Sequence, residues 1–294
     1  MSKIILIVGP TATGKTALSI ALAKEYNAEI VNADSTQIYK EPLIATAKIT
    51  EEEKEGIPHH MIDIKSLKDD YSIYDYQVDA RKILDKLIKE DKNIIIVGGS
   101  GLYVKALLYD YSLEKEELKD IDLSNYSNEE LKELADSISD NNIHVNNRHR
   151  LERYIKYYKS TGKTITKTDE INKRLYDFEI IGLQAPRDEI YNRCDKRVDE
   201  MFDNGLLEEA KNLYKKKYKN FTSIIGYREL NDYFDNKISL GRAKELMKQN
   251  TRHYAKRQIT FYKHQFDNIK WFNTDYSNFK NTINEVIKYL KEKE

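Results

Sequence analysis

The chain is poor in cysteine, with Cys194 standing alone in 294 residues. No disulfide can form within it, and a multi-cysteine zinc site is excluded. That thiol usage fits a reducing, cytoplasmic setting. Long apolar runs are also missing. No stretch approaches the ~20 residues that a membrane helix needs. Residues 1–8 hold one lysine and a short apolar run, too short for a signal-peptide core and without a cleavage site. A cytoplasmic protein with no membrane partner is the expectation. No internal repeat recurs at solenoid periods. Net charge is absent too, because 49 Lys and Arg balance 49 Asp and Glu. The overall balance therefore points to no nucleic acid, and such a partner has to be sought in local clusters.

What is present suffices for a sizeable core: 40% of residues are hydrophobic and 33% charged. The length allows one large domain, or a core with one inserted subdomain. Residues 4–8 are a continuous apolar run closed by Gly9-Pro10, the pattern of a strand buried on both faces. A helix is expected from Lys15. A second strand covers residues 29–32 and leads to Asp34. Residues 72–90 have helical spacing, and Ser72 with Asp75 suits a capping box. Residues 93–97 form another buried strand, stopped by Gly98-Gly99. Further strands are expected at 178–183 and 269–272, and helices at 187–217, 223–234, 240–264 and 279–290. Strands and helices alternate, which is the signature of an α/β fold with a parallel sheet. Residues 111–142 differ: acidic, without arginine and poor in large apolar groups. They read as a small, mostly helical insertion, with a solvated linker as the alternative. The core is then 1–110 with 143–294.

Gly9-Pro10-Thr11-Ala12-Thr13-Gly14-Lys15-Thr16 matches G-x-x-x-x-G-K-[ST] at every position, between a strand and a helix. The glycines let backbone N–H groups converge on phosphate oxygens. The helix N-terminus adds a favourable dipole. Lys15 supplies a point charge, and Thr16 is a candidate Mg²⁺ ligand. A chance glycine-rich turn is the bland alternative, disfavoured by the flanking elements. The expected architecture is a P-loop NTPase-like parallel sheet flanked by helices. Ordinary members place a metal-binding acid after a second apolar strand. Here that strand, 93–97, runs into Gly98-Gly99-Ser100-Gly101, and the acid sits instead at Asp34.

Several separated motifs carry a family resemblance. They are GPTATGKT from Gly9, ADSTQIYK from Ala33, ATAK from Ala45 and PHHMIDI from Pro58. VGGSGLYVKALL from Val97, RCDKRVDEM from Arg193, IGYREL from Ile225 and AKRQITFYK from Ala255 follow. In this order they resemble the tRNA dimethylallyltransferase (tRNA isopentenyltransferase) family over nearly the whole chain, residues 111–142 excepted. The resemblance implies transfer of a dimethylallyl group from dimethylallyl diphosphate to N6 of the adenosine 3′ of the anticodon. It also implies that the P-loop holds the donor diphosphate, with Mg²⁺ as cofactor and the tRNA anticodon stem-loop as partner. Two departures stand out. Ser100 replaces the family's usual threonine, keeping the hydroxyl. His144-Val145-Asn146-Asn147-Arg148 lacks the proline and aspartate of the family's HPND pattern.

By that resemblance Asp34 is the general base, and its place at the carboxyl end of a parallel strand is where α/β ligands bind. A helix cap or metal support is its structural alternative. Ser35, Thr36 and Gln37 would contact the target nucleotide together with Asp34 and Ser100, and Ser100 is also a catalytic candidate. Arg197 matches the motif arginine expected to stabilise the departing diphosphate. Arg193, one helical turn earlier, reads as a surface charge. Two basic segments are candidate tRNA contacts. Arg150 and Arg153 lie in one, where Arg150, Arg153, Lys156 and Lys159 recur every three residues. Lys256, Arg257 and Gln258 lie in the other, residues 242–264, where basic residues outnumber acids by six. Basic helices are usually just solvated faces. His59-His60 reads as structural or substrate-proximal rather than as a metal pair, since adjacent residues point apart. A P-loop kinase using ATP is the alternative function, and a non-catalytic RNA-binding P-loop protein a third.

Overall fold

The computed structural model describes residues 2–111, 113, 119, 121–164 and 173–293. In chain order the elements begin with β1 (Ile4–Val8), α1 (Lys15–Tyr26), β2 (Ala28–Asn32), α2 (Glu51–Lys54) and β3 (His59–His60). They continue with α3 (Ile73–Lys89), β4 (Asn93–Val97), α4 (Gly101–Leu108), α5 (Asn128–Ile138), α6 (Arg148–Thr161) and β5 (Glu179–Gln184). The last are α7 (Arg187–Asp203), α8 (Leu206–Tyr214), α9 (Tyr227–Phe234), α10 (Leu240–Gln265), β6 (Lys270–Asn273) and α11 (Phe279–Lys291). The chain divides into two compact units, Met1–Tyr109 with Arg174–Glu294, and Asp110–Lys173.

The first unit is built on a six-stranded sheet in the order β3-β2-β4-β1-β5-β6, with every pair parallel. β1 explains its own place. Its five residues are all buried, and alternate side chains enter opposite layers. Ile4, Leu6 and Val8 join α3, α4 and the end of α10, whereas Ile5 and Ile7 meet α1 and α11. α3 starts at the anticipated capping box, with Ser72 accepting from Asp75 N–H and Asp75 from Ser72 N–H. A third apolar cluster joins α8, α9 and the start of α10. No helix among the described residues is long and apolar enough to cross a membrane.

The second unit has its own small core of Leu123, Leu131, Ala135, Leu151, Tyr154 and Ile155, where α5 meets α6. It is therefore larger than the 111–142 segment marked out by composition. α6 belongs to it because Leu151, Tyr154 and Ile155 bury their side chains against α5, and composition does not report that packing. Residues 112, 114–118 and 120 of the expected insertion lie outside the described residues.

The helix expected over 187–217 is two helices. Gly205 sits between them at φ 96°, in the left-handed region, and caps α8. The two-residue β3 and the short α4 went unanticipated, the first too short for a period and the second starting inside a glycine run. At position 205 a Cβ would meet only Ile44 Cδ1, at 3.9 Å. Gly205→Ala therefore costs backbone strain and no clash. We expect a loss of about 1 kcal/mol in urea unfolding, and an unchanged midpoint would show that the turn relaxes freely.

Candidate active site

The P-loop follows β1 and opens α1. Gly14 caps α1 at φ 87° with no side-chain cap, which leaves the helix's first N–H groups without one among the described residues. The loop is braced from outside. Thr11 N–H donates to Gln258 Oε1 at 2.8 Å, and Thr11 Oγ1 accepts from Arg197 Nη1 at 3.2 Å. Arg193 Nε donates to Ala12 O at 3.3 Å, and Thr274 Oγ1 to Thr13 O at 3.2 Å. Lys15 Nζ folds back onto Pro10 O at 2.7 Å. Burial and the adjacent Arg197 guanidinium pull the Lys15 ammonium down to about 8, against an upward pull from Asp34. Burial also lowers Arg197, which as a guanidinium stays charged. The Cys194 thiol beneath it is pushed up to about 11 by burial, and is packing.

Asp34 lies just beyond β2, facing the P-loop across a cavity of about 480 Å³ that Lys15, Thr16, Gln37, Thr46 and Arg197 also line. Its carboxylate is held on one side only. Oδ1 accepts the Thr36 N–H at 2.9 Å and the Thr36 hydroxyl at 2.7 Å. Oδ2 has no protein donor among the described residues. The buried Asn32 side chain fixes the turn below, accepting from Asp34 N–H and donating to Met61 O. Gln37 Nε2 donates to Thr46 O and Ala47 O at 3.2 and 3.3 Å, which leaves the amide oxygen as its open atom.

The Gly98-Gly99 turn closes the site from behind. A Cβ at Gly98 would lie 2.2 Å from the carbonyl carbon and oxygen of Ala33, and one at Gly99 2.2 Å from Gln258 Nε2. No acid fits at either position after β4, which is the physical reason for the missing kinase-type aspartate. Ser100 Oγ accepts Ser35 N–H at 2.9 Å and donates to Ser35 Oγ at 3.0 Å. Tyr254, Gln258 and Tyr262 share one face of α10. The Tyr254 hydroxyl lies beside Ser100 and Gln258, and Tyr262 donates to Gly98 O at 3.2 Å.

These positions correct two expectations. Gln258, expected among the tRNA contacts, is 5% exposed, and both ends of its amide are bonded inside the site, to Thr11 N–H and to Gly99 O. It is a strut of the site. Arg193 read as a surface charge; it grips the P-loop, with its guanidinium 4.2 Å over the Tyr276 ring. Ser35 and Thr36 spend their polar groups inside the site, so they hold Ser100 and Asp34 before they meet any ligand. Lys256 and Arg257 are exposed on α10, and neither has an acidic partner among the described residues. Lys244 and Lys248 pair with Asp199, and Arg252 with Asp195, so α7 neutralises these neighbours. Arg150 and Arg153 are exposed on α6 in the second unit.

A family model described as "IPP transferase" matches residues 37–265. A tRNA dimethylallyltransferase of Anoxybacillus flavithermus is 42% identical over 99% of this chain and 97% of its own length. This chain belongs to the IPP transferase family. A tRNA dimethylallyltransferase of Enterococcus faecalis is 40% identical over 100% of this chain and 99% of its own. Among solved structures, a tRNA delta(2)-isopentenylpyrophosphate transferase from Staphylococcus epidermidis covers both chains fully, with 36% identity and a TM-score of 0.76. A eukaryotic dimethylallyltransferase described as acting on tRNA matches 98% of this chain and 78% of its own, with 27% identity and a TM-score of 0.81. The α/β architecture expected from the P-loop and its flanking elements is thus the family's.

His59 and His60 each use one ring nitrogen within the protein. His59 Nδ1 lies 2.8 Å from Ile57 O, and His60 Nε2 lies 2.7 Å from Glu29 Oε2. Sequence reasoning missed Tyr254, Tyr262 and Thr274. The first two were legible only as a stripe with Gln258 at i, i+4 and i+8; in a chain with 22 tyrosines, no single one draws notice.

The lowered Lys15 predicts proton uptake. Near pH 8 the free ammonium is about half ionised, and a bound anion raises its pKa and fills it. Diphosphate binding at that pH should take up about half a proton more in the wild type than in Lys15→Arg. The difference should vanish near pH 6, where Lys15 is already charged. Calorimetry in buffers of different ionisation enthalpy measures it. Equal uptake by both proteins would place the Lys15 pKa elsewhere.

Proposed function

We propose that this protein transfers a dimethylallyl group from dimethylallyl diphosphate to N6 of the adenosine 3′ of the anticodon in tRNA. The observation that carries the reading is one cavity with an anion-binding loop on one wall and a half-free carboxylate on the other, in a chain of this family. The donor's diphosphate lies in the P-loop, against the N-terminal amides of α1, Lys15 and Arg197. The adenine enters on the Asp34 side. Gln37, its amide nitrogen held by two carbonyls, turns its oxygen to an incoming N–H donor, such as an adenine amino group.

The N6 lone pair forms a bond to C1 of the dimethylallyl group as the C1–O bond breaks. The electron pair of that bond leaves on the diphosphate. Lys15 and Arg197 stabilise the charge that grows there. The proton of N6 goes to Asp34 Oδ2, the oxygen that Thr36 leaves open. Ser100 acts through Ser35, holding the Asp34 turn at its distance from the P-loop. A magnesium ion fits this donor set. The Thr16 hydroxyl is exposed beside Lys15, and no cluster of three or more His, Cys, Asp or Glu exists among the described residues to hold a metal by itself. Mg²⁺ keeps most of its waters and binds through substrate phosphates and one or two protein oxygens. It would neutralise charge on the diphosphate.

Purified protein, Mg²⁺, dimethylallyl diphosphate and tRNA should yield a prenylated adenosine, seen by nucleoside mass spectrometry. Phosphoryl transfer from ATP with no prenylation would sink the reading. Asp34→Asn keeps the Thr36 bonds to Oδ1 and replaces the proton acceptor. Its single-turnover rate should fall by ~10²-fold or more with donor and tRNA affinity nearly intact. A near-normal rate would remove Asp34 from proton transfer.

Exposed α10 cations without acidic partners should carry the tRNA binding from this helix. Lys256→Ala with Arg257→Ala should lower the slope of log K against log salt by about 2, about 1 for each phosphate no longer neutralised. Lys244→Ala with Lys248→Ala, removing cations already paired with Asp199, should leave the slope unchanged. The opposite ranking would assign the tRNA backbone to the α7 edge.

A further inference from the structure

Glu209 lies on α8, outside the cavity, and binds nothing there directly. Its carboxylate accepts four hydrogen bonds. Oε2 takes the backbone N–H groups of Leu43 and Ile44 at 3.0 and 2.9 Å. Oε1 takes Ala45 N–H at 3.1 Å and the Tyr227 hydroxyl at 2.6 Å. Three successive amides converging on one point make an anion nest, and here the anion is a side chain of the same protein. No cation pairs with Glu209 among the described residues, so these donors are what offset its charge.

The loop that Glu209 fills continues straight into the site. It closes as a tight turn, with Ala47 N–H donating to Ile44 O, Lys48 N–H to Leu43 O, and the Thr46 hydroxyl to Pro42 O. The next two carbonyls in the chain, Thr46 O and Ala47 O, are those that hold the Gln37 amide nitrogen. Rotation of the 43–45 segment would carry both carbonyls with it and free Gln37 to flip. Tyr227 completes the fourth bond from a fully buried position, stacked on Phe221 with ring planes 4° apart. The P-loop does not depend on this loop, because Gln258, Arg193, Arg197 and Thr274 brace it separately.

We propose that Glu209 is a positioning residue for the acceptor half of the site, setting through the 43–47 loop which atom of Gln37 faces the incoming base. The inference rests on the transferase reading above. Glu209→Gln replaces one acceptor oxygen with an NH₂ that faces backbone N–H groups. Its kcat/KM for tRNA should fall by about 10-fold to 10²-fold, while affinity for inorganic diphosphate stays at the wild-type value. Adding Glu209→Gln to Gln37→Ala should cost little further, since both act on one interaction. Glu209→Asp, which keeps the charge, should recover part of the rate, and Tyr227→Phe should show a smaller loss of the same kind should Glu209→Gln fail to fold.

A kcat/KM within twofold of wild type, losses that add fully with Gln37→Ala, or a parallel loss of diphosphate affinity would each overturn the inference, the last by showing a merely structural role. A wild-type protein that transfers no prenyl group would overturn the underlying reading and this inference with it. That result is visible before any variant is compared.

Discussion

The amide of Gln258 joins the two halves of the site. Its oxygen takes Thr11 N–H of the P-loop and its nitrogen reaches Gly99 O of the turn after β4. A buried amide needs both ends satisfied, because an orphaned polar group there costs about 1–3 kcal/mol. The same bonds fix the spacing between the anion-binding loop and the segment that carries Asp34. Tyr262, one turn further along α10, holds Gly98 O. The glycines answer this packing: a side chain at 98 or 99 would strike Ala33 or Gln258 itself. The glycine run and the helix face that meets it specify one another.

Charge is segregated across the cavity. Lys15 and Arg197 stand at the P-loop with Arg193 behind it, and Asp34 stands opposite. Between them are neutral groups, since burial and then the Asp34 charge keep the Tyr254 phenol well above its ordinary range. Burial first, and then the neighbouring Arg197 charge, depress the Lys15 ammonium. An anion bound at the P-loop would offset that cost to the charged form. A reaction that moves negative charge toward the P-loop and a proton toward Asp34 runs along this polarity.

Much of the fold was legible. The apolar run of β1, the P-loop after it and the capping box of α3 each carry a local signal, and each appears where the sequence places it. The failures share a cause. The break at Gly205, the membership of α6 in the second unit and the gripping role of Arg193 depend on how segments meet in space. Local pattern has no access to them. Arg193 and Arg197 look alike as neighbours on one helix, and only the approach of Ala12 and Tyr276 gives Arg193 its task.

Sequence alone determined the chemistry that this protein can host. A glycine-framed loop with Lys15 and Thr16 binds phosphates wherever a strand and helix flank it, because the backbone geometry is local. It also supplied Asp34 and left no acid after β4. Tertiary structure decided which atoms remain available. Thr36 occupies one oxygen of Asp34 and leaves the other; Thr46 and Ala47 occupy the nitrogen of Gln37 and leave its oxygen; Gln258 is buried with both ends of its amide bonded. Residue type fixes how many hydrogen bonds a side chain can make, but only packing determines which of them the protein itself has already used.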